Sequence, residues 1–231
     1  MTVALITAAG TGSRFGTDVP KQFLTVYNKP VIIYTLEKFQ QYPGIDEILV
    51  TCLEGWEPIL TAYAKQYGIT KLKWVITGGK TGQESIKKGI ELLHAQCEDD
   101  TIVVVHDGNR ALVSDDIISD AIVTCREKGN AVAVIPCQEV IVETQDQMTS
   151  DTYLVRENLK RTQTPHAFYL KDMIWAHEMA EHESIFDAAA TCDLMMRLGK
   201  KIYFSKGNEQ NIKITTSDDM KIFKALVNHD E

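Results

Sequence analysis

Hydrophobic and polar positions along this chain switch between two periods, and each switch marks an element. Val3–Thr7 is a short apolar, partly β-branched run and predicts a buried strand. From Pro30 the apolar residues Ile32, Ile33, Leu36 and Phe39 fall on one helical face, with proline tolerated in the first turn. Glu47–Leu53 predicts a second strand, and Ile59, Leu60, Tyr63, Ala64 and Tyr67 an amphipathic helix ended by Gly68. Leu72–Thr77 predicts a third strand, followed by a helix from Gln83 to about Ala95 with Ile86, Ile90 and Leu93 inward. Thr101–His106 is apolar on both faces, which predicts a central, parallel strand. Ile117, Ile118, Ala121, Ile122 and Cys125 mark another helix, and 131–136 a further buried strand. The alternation predicts an α/β fold, a single doubly wound, Rossmann-like, mainly parallel sheet.

The pattern changes after Pro136. Val140–Val142 and Tyr153–Val155 flank a polar stretch, which predicts a hairpin-like β-arm projecting at about residues 137–160. In a symmetric oligomer such an arm crosses to a partner, so a homodimer is expected. Helical patterns resume at 171–180, 190–198 and 218–227, with a strand at 201–205 and an extended piece at 212–215 between them. With no repeat or linker in sight, residues 1–231 are expected to form one domain.

Composition narrows the function class. Hydrophobic content of 44% and charged content of 24% are ordinary for a soluble globular chain. A net charge of −8 argues against nucleic acid as a partner, since that needs a basic face. No run has membrane-spanning length and no signal peptide opens the chain, so a cytoplasmic protein is expected. Cys52, Cys97, Cys125, Cys137 and Cys192 are scattered without a close pair and read as reduced core thiols.

The densest chemistry follows the first strand. Ala8, Ala9, Gly10, Gly12 and Gly16 lack the side chains that would keep a ligand from the backbone, and peptide N–H groups in such a turn form an anion site. Arg14 and Lys21 add fixed positive charge, so the stretch suits a polyphosphate. A P-loop is excluded because Gly16 leads into Thr17-Asp18 rather than a lysine. The dinucleotide fingerprint fails on a third glycine one residue late and on the lack of an acid about 20 residues on, which counts against a nicotinamide-dependent reductase. Elsewhere, Gly79 and Ser85 lie where a strand meets a helix, and Asp107, Gly108 and Arg110 close the central strand. Both are strand carboxyl ends, where α/β sheets bind ligands. His106 reads as a packed or hydrogen-bonded histidine.

Leu5-x-Ala-Ala-Gly-x-Gly-x-Arg-x-Gly16 followed by Pro20-Lys21-Gln22 resembles the signature of nucleotidyltransferases that build nucleotide sugars. The Pro-Lys-Gln step resembles the cytidylyltransferases acting on methylerythritol 4-phosphate or ribitol 5-phosphate. The resemblance implies CTP as substrate, held by Ala8, Ala9, Gly10, Gly12, Gly79, Ser85 and Asp107. It implies Mg²⁺ carried mainly by the phosphates, with Asp107 as a further ligand, and an acceptor bound by Asp107, Arg110, Arg156 and Lys213. Arg14, Lys21, Arg156 and Lys213 would then be the catalytic cations. The match extends to Asn211-Ile212-Lys213-Ile214-Thr215. It departs at Gly82 (arginine in the family), Ala111 (proline), Val140 (an acceptor-binding threonine) and His166 (glutamine), and aligns only loosely over 187–193. The expected reaction moves CMP from CTP to a sugar-alcohol phosphate. A ribitol 5-phosphate type acceptor is favoured over methylerythritol 4-phosphate, and a non-catalytic nucleotide-binding regulator is the alternative of another class.

Overall fold

The computed structural model describes residues 1–12 and 19–227. The chain begins with strand β1 (Thr2–Ala8), whose residues are nearly all buried. A 3₁₀ turn at Lys21–Phe23 and two short paired strands, β2 (Thr25–Val26) and β3 (Lys29–Pro30), lead into helix α1 (Val31–Gln41). Then β4 (Glu47–Cys52), α2 (Glu57–Gln66), β5 (Leu72–Thr77), α3 (Gly82–Gln96), β6 (Ile102–Asp107), α4 (Asp115–Lys128) and β7 (Asn130–Pro136) alternate as the periodicity predicts. Ile141–Glu143 (β8) and Thr152–Leu154 (β9) pair antiparallel as a two-stranded sheet of their own, every residue exposed. β10 (Lys160–Tyr169), α5 (Leu170–His182), α6 (Thr191–Arg197), β11 (Phe204–Lys206) and α7 (Ser217–Val227) complete the chain.

Seven strands form the main sheet in the order β11-β7-β10-β6-β1-β4-β5. All neighbours run parallel except β10, which lies antiparallel to both β6 and β7. Successive side chains of a strand face opposite ways, so each central strand feeds two cores. Ala4, Ile6, Ile48, Val50, Ile102 and Val104 join α1, α2 and α4 on one face, while Val3, Leu5, Leu49, Val103 and Val105 join α3, α5 and α6 on the other. Both faces are therefore helix-covered, which explains why these strands read as continuous apolar runs. A third cluster ties Phe223 and Met220 of α7 to Val26 and Val31.

Three expectations need correction. β6 is central as predicted, yet only its β1 side is parallel. β10 has no counterpart in the pattern: Lys160 to His166 is polar and carries Pro165, which argues against an inner strand. The structure accommodates the proline where the β10–β7 register shifts, between Thr162 and His166. Finally, the strand expected at 201–205 is Phe204–Lys206.

Candidate active site

Two adjoining cavities open at the carboxyl ends of β1, β5 and β6. The first, about 210 Å³, is lined by Ala8, Ala9, Gly10, Lys21 and Gln22 on one side and by Gly79 to Gly82 and Ser85 on the other. The second, about 310 Å³, runs between α3, β10 and α6. Thr7, Gly82, Asp107 and Lys213 line both.

The wall of the first cavity is set by close backbone approach. Gly12 sits at φ +69, in the left-handed region, and a Cβ there would stand 3.2 Å from the Lys21 backbone nitrogen. A Cβ on Gly78 would lie 2.3 Å from that of Ala9. Gln22, whose role the sequence left unassigned, holds the loop from below. Its Nε2 donates to the carbonyls of Ala8 (2.7 Å) and Gly10 (3.0 Å). Lys21 lines the cavity from the 3₁₀ turn that also carries Gln22. Gly12 lines neither cavity and acts through the turn, and Arg14 lies outside the described residues.

Opposite, Thr81 caps α3 by accepting from the Glu84 N–H (3.1 Å). The Ser85 hydroxyl accepts from the Gly79 N–H (2.9 Å) and donates to the Thr81 carbonyl (2.8 Å). Ser85 is buried and thus shapes the Gly78-Gly79 turn from within.

Charge concentrates where the cavities meet. Asp107 pairs with Arg110 Nε (3.0 Å) and Lys213 Nζ (2.9 Å). Burial alone would raise its pKa, but the Lys213 and Arg110 cations outweigh burial and hold it at about 2. Lys213 is delivered by a non-strand segment fixed through asparagines. Asn109 Nδ2 donates to the Ile214 carbonyl (2.5 Å) and the Ile214 N–H returns to the Asn109 carbonyl (3.0 Å). Asn211 Nδ2 donates to the Thr164 carbonyl (2.8 Å), and Arg110 donates to the Asn211 carbonyl (2.7 Å). Thr164, in turn, accepts the Asp107 N–H (3.0 Å) and lies 3.1 Å from His106 Nδ1. His106 is wholly buried, as expected of a packed or hydrogen-bonded histidine, and burial pushes its pKa down to about 4.

The structure therefore gathers Ala8, Ala9, Gly10, Lys21, Gly79, Ser85, Asp107, Arg110 and Lys213 around two joined cavities. It leaves Arg156 apart: this residue lies in an exposed 3₁₀ turn, bonded to the Gln138 carbonyl (3.4 Å), and lines neither cavity. Gln22 and Asn211 stood in the quoted motifs without a role, and Asn109 and Thr164 were missed. Thr164 and His166 sit two apart along β10, so both face the same side of the strand, a relation that only the strand assignment reveals.

A model of one family, IspD, 2-C-methyl-D-erythritol 4-phosphate cytidylyltransferase, matches residues 2–229. The chain belongs to the IspD family. Its reaction class is accordingly that of a CTP-dependent nucleotidyltransferase. Among individual IspD-family proteins, a ribitol-5-phosphate cytidylyltransferase of Lacticaseibacillus paracasei is 42% identical with 100% of both chains covered. A 2-C-methyl-D-erythritol 4-phosphate cytidylyltransferase of Geotalea uraniireducens is 33% identical over 97% of this chain and 95% of its own. The crystal structure of 4-diphosphocytidyl-2C-methyl-D-erythritol synthase from Anaerococcus prevotii superposes with a TM-score of 0.83 at 26% identity, covering 98% of this chain and 96% of that one.

Proposed function

We propose that this IspD-family chain transfers CMP from CTP to the phosphate of ribitol 5-phosphate, forming CDP-ribitol and pyrophosphate. The observation that carries the acceptor choice is full-length similarity to a ribitol-5-phosphate cytidylyltransferase at 42%, against 33% for a methylerythritol 4-phosphate enzyme. In this reading the triphosphate lies along Ala8–Gly10 beside Lys21, and the acceptor phosphate meets it at Lys213. An acceptor phosphate oxygen forms a bond to the α-phosphorus, the bond from the α-phosphorus to the bridging oxygen breaks, and pyrophosphate leaves with that electron pair. A phosphate monoester is already anionic near neutral pH, so no side chain need act as a strong base. Repulsion between two anions is the obstacle, and fixed cations answer it. Lys213 supplies one at the cavity junction, and Arg14 is assigned with Lys21 to the triphosphate.

Among the described residues no three ligating side chains converge, and Asp107 is the one carboxylate lining the first cavity. That suits Mg²⁺, which keeps its waters and binds through phosphates and one or two carboxylates. Asp107 would hold it alongside the phosphates, and the ion would neutralise charge there. Arg156 lines neither cavity of its own protomer, and the hairpin beside it exposes Val140 (75%), Val142 (55%) and Tyr153 (67%). We assign that apolar surface to a homodimer that carries Arg156 towards the partner's acceptor site. The five unpaired cysteines suit a cytoplasmic enzyme.

The test is pyrophosphate release with CTP and Mg²⁺, run in parallel against ribitol 5-phosphate and 2-C-methyl-D-erythritol 4-phosphate. Turnover with ribitol 5-phosphate alone is expected. Turnover with the other acceptor alone would move the enzyme to isoprenoid precursor synthesis, and CTP binding without release would indicate a regulator.

A further inference from the structure

Two residues in the wall of the second cavity each carry a buried polar side-chain atom that the fold leaves without a partner. His166 Nε2 and Thr191 Oγ1 are both buried, and neither has a hydrogen-bond partner. Their side chains come from different elements, β10 and α6, and both residues line the cavity. His166 is 2% exposed and Thr191 5%. A buried donor or acceptor left unpaired is unfavourable, so two in the wall of one cavity point to a ligand that pairs them. The rest of the wall includes apolar Ile86, Val105 and Leu194, while Arg110 and Lys213 stand at the end shared with the nucleotide cavity.

That end sets two cations, Arg110 and Lys213, against the one carboxylate of Asp107, and the interior carries spaced hydroxyl-bonding groups. This arrangement matches a molecule with a phosphate at one terminus and a hydroxylated carbon chain behind it. We propose that His166 and Thr191 recognise hydroxyl groups of the acceptor's polyol chain and set the preference of this enzyme among polyol phosphates. This deepens the function proposed above and rests on it. Burial disfavours the protonated form of the His166 ring, against the Gln163 backbone, which lies close enough to favour it. Nε2 then accepts from one ligand hydroxyl, and the Thr191 hydroxyl donates to or accepts from another. His166 stands where the family resemblance expects glutamine, an amide that offers both a donor and an acceptor in place of one ring nitrogen. The residue is therefore suited to discriminate between acceptors that differ in their hydroxyl pattern.

The experiment is steady-state kinetics on the full chain with CTP, Mg²⁺ and ribitol 5-phosphate, comparing wild type with Thr191→Val, Thr191→Ser and His166→Gln. Thr191→Val keeps the shape and removes the hydroxyl. It should raise KM for ribitol 5-phosphate about tenfold while KM for CTP stays within about twofold. Thr191→Ser should restore the wild-type acceptor KM, and His166→Gln should raise it with the CTP KM again unchanged. An acceptor KM that stays put in both Thr191→Val and His166→Gln overturns the proposal. So do parallel rises in both KM values that Thr191→Ser fails to reverse, since those report a loosened fold. Failure of the parent reading looks different: the wild-type protein itself would then release no pyrophosphate with ribitol 5-phosphate, and the proposal would fall with it.

Discussion

At the scale of single residues, the first cavity is bordered by one cation and one amide that are neighbours in sequence and differ in position. Lys21 lines the cavity and can meet phosphate charge directly. Lys21→Ala should lower kcat by 10²–10³, about 3 kcal/mol of transition-state stabilisation, with the fold intact by circular dichroism. Near-normal turnover in that variant would remove Lys21 from the reaction. Gln22 points the other way and holds the carbonyls of Ala8 and Gly10. Gln22→Leu keeps the bulk but releases both carbonyls, so kcat/KM for CTP should fall about tenfold or more, with the acceptor KM little changed. Initial-rate kinetics with each substrate varied in turn separates the two outcomes. The resemblance made Lys21 legible because its spacing from the glycine-rich turn is a motif. Gln22 stood in the same motif but without a role, since an amide's task depends on which carbonyls the fold sets beside it.

At the scale of elements, α3 begins where the site needs it to begin. Its start is marked by the Thr81 cap and by Ser85, which binds the Gly79 N–H and the Thr81 carbonyl. Thr81→Ala should cost about 1 kcal/mol and lower Tm by a few degrees. A differential scanning calorimetry trace unchanged from wild type would show that the turn is held by Ser85 alone. β10 is the element that the hydrophobic pattern concealed. Its first half is polar because it closes the site with Gln163 and Thr164, and only from His166 onward does it pair with β6. A cavity-lining position thus replaced the alternation that normally betrays a strand. The hairpin of β8 and β9 was legible in outline because two β-branched or aromatic runs flanked a polar turn.

At the scale of the whole molecule, burial of imidazoles couples the fold to pH. His106, His166 and His177 are each pushed down to about 4 by burial. An unfolded histidine takes up its proton near 6.5, whereas these three take theirs only near 4. Between those values the unfolded chain binds more protons, so unfolding free energy must fall as pH is lowered through that window. Each ring contributes up to about 3 kcal/mol. Asp107, held at about 2, adds a further loss below about pH 4. Urea denaturation at pH 7.5, 6 and 5 should give midpoints that fall at each step, and midpoints independent of pH would contradict the burial of these rings. The doubly wound α/β class, its order of strands and helices up to β7 apart from the short β2–β3 pair, and the glycine-rich loop were determined by the sequence alone. Periodicity and small residues are local properties that survive without knowledge of the partner strands. The antiparallel insertion of β10, the union of Asp107, Arg110 and Lys213 at one junction, and the cavity bearing His166 and Thr191 were decided only in three dimensions. They join residues up to about a hundred positions apart, and no local pattern records which distant side chains the sheet order will bring to the same strand ends.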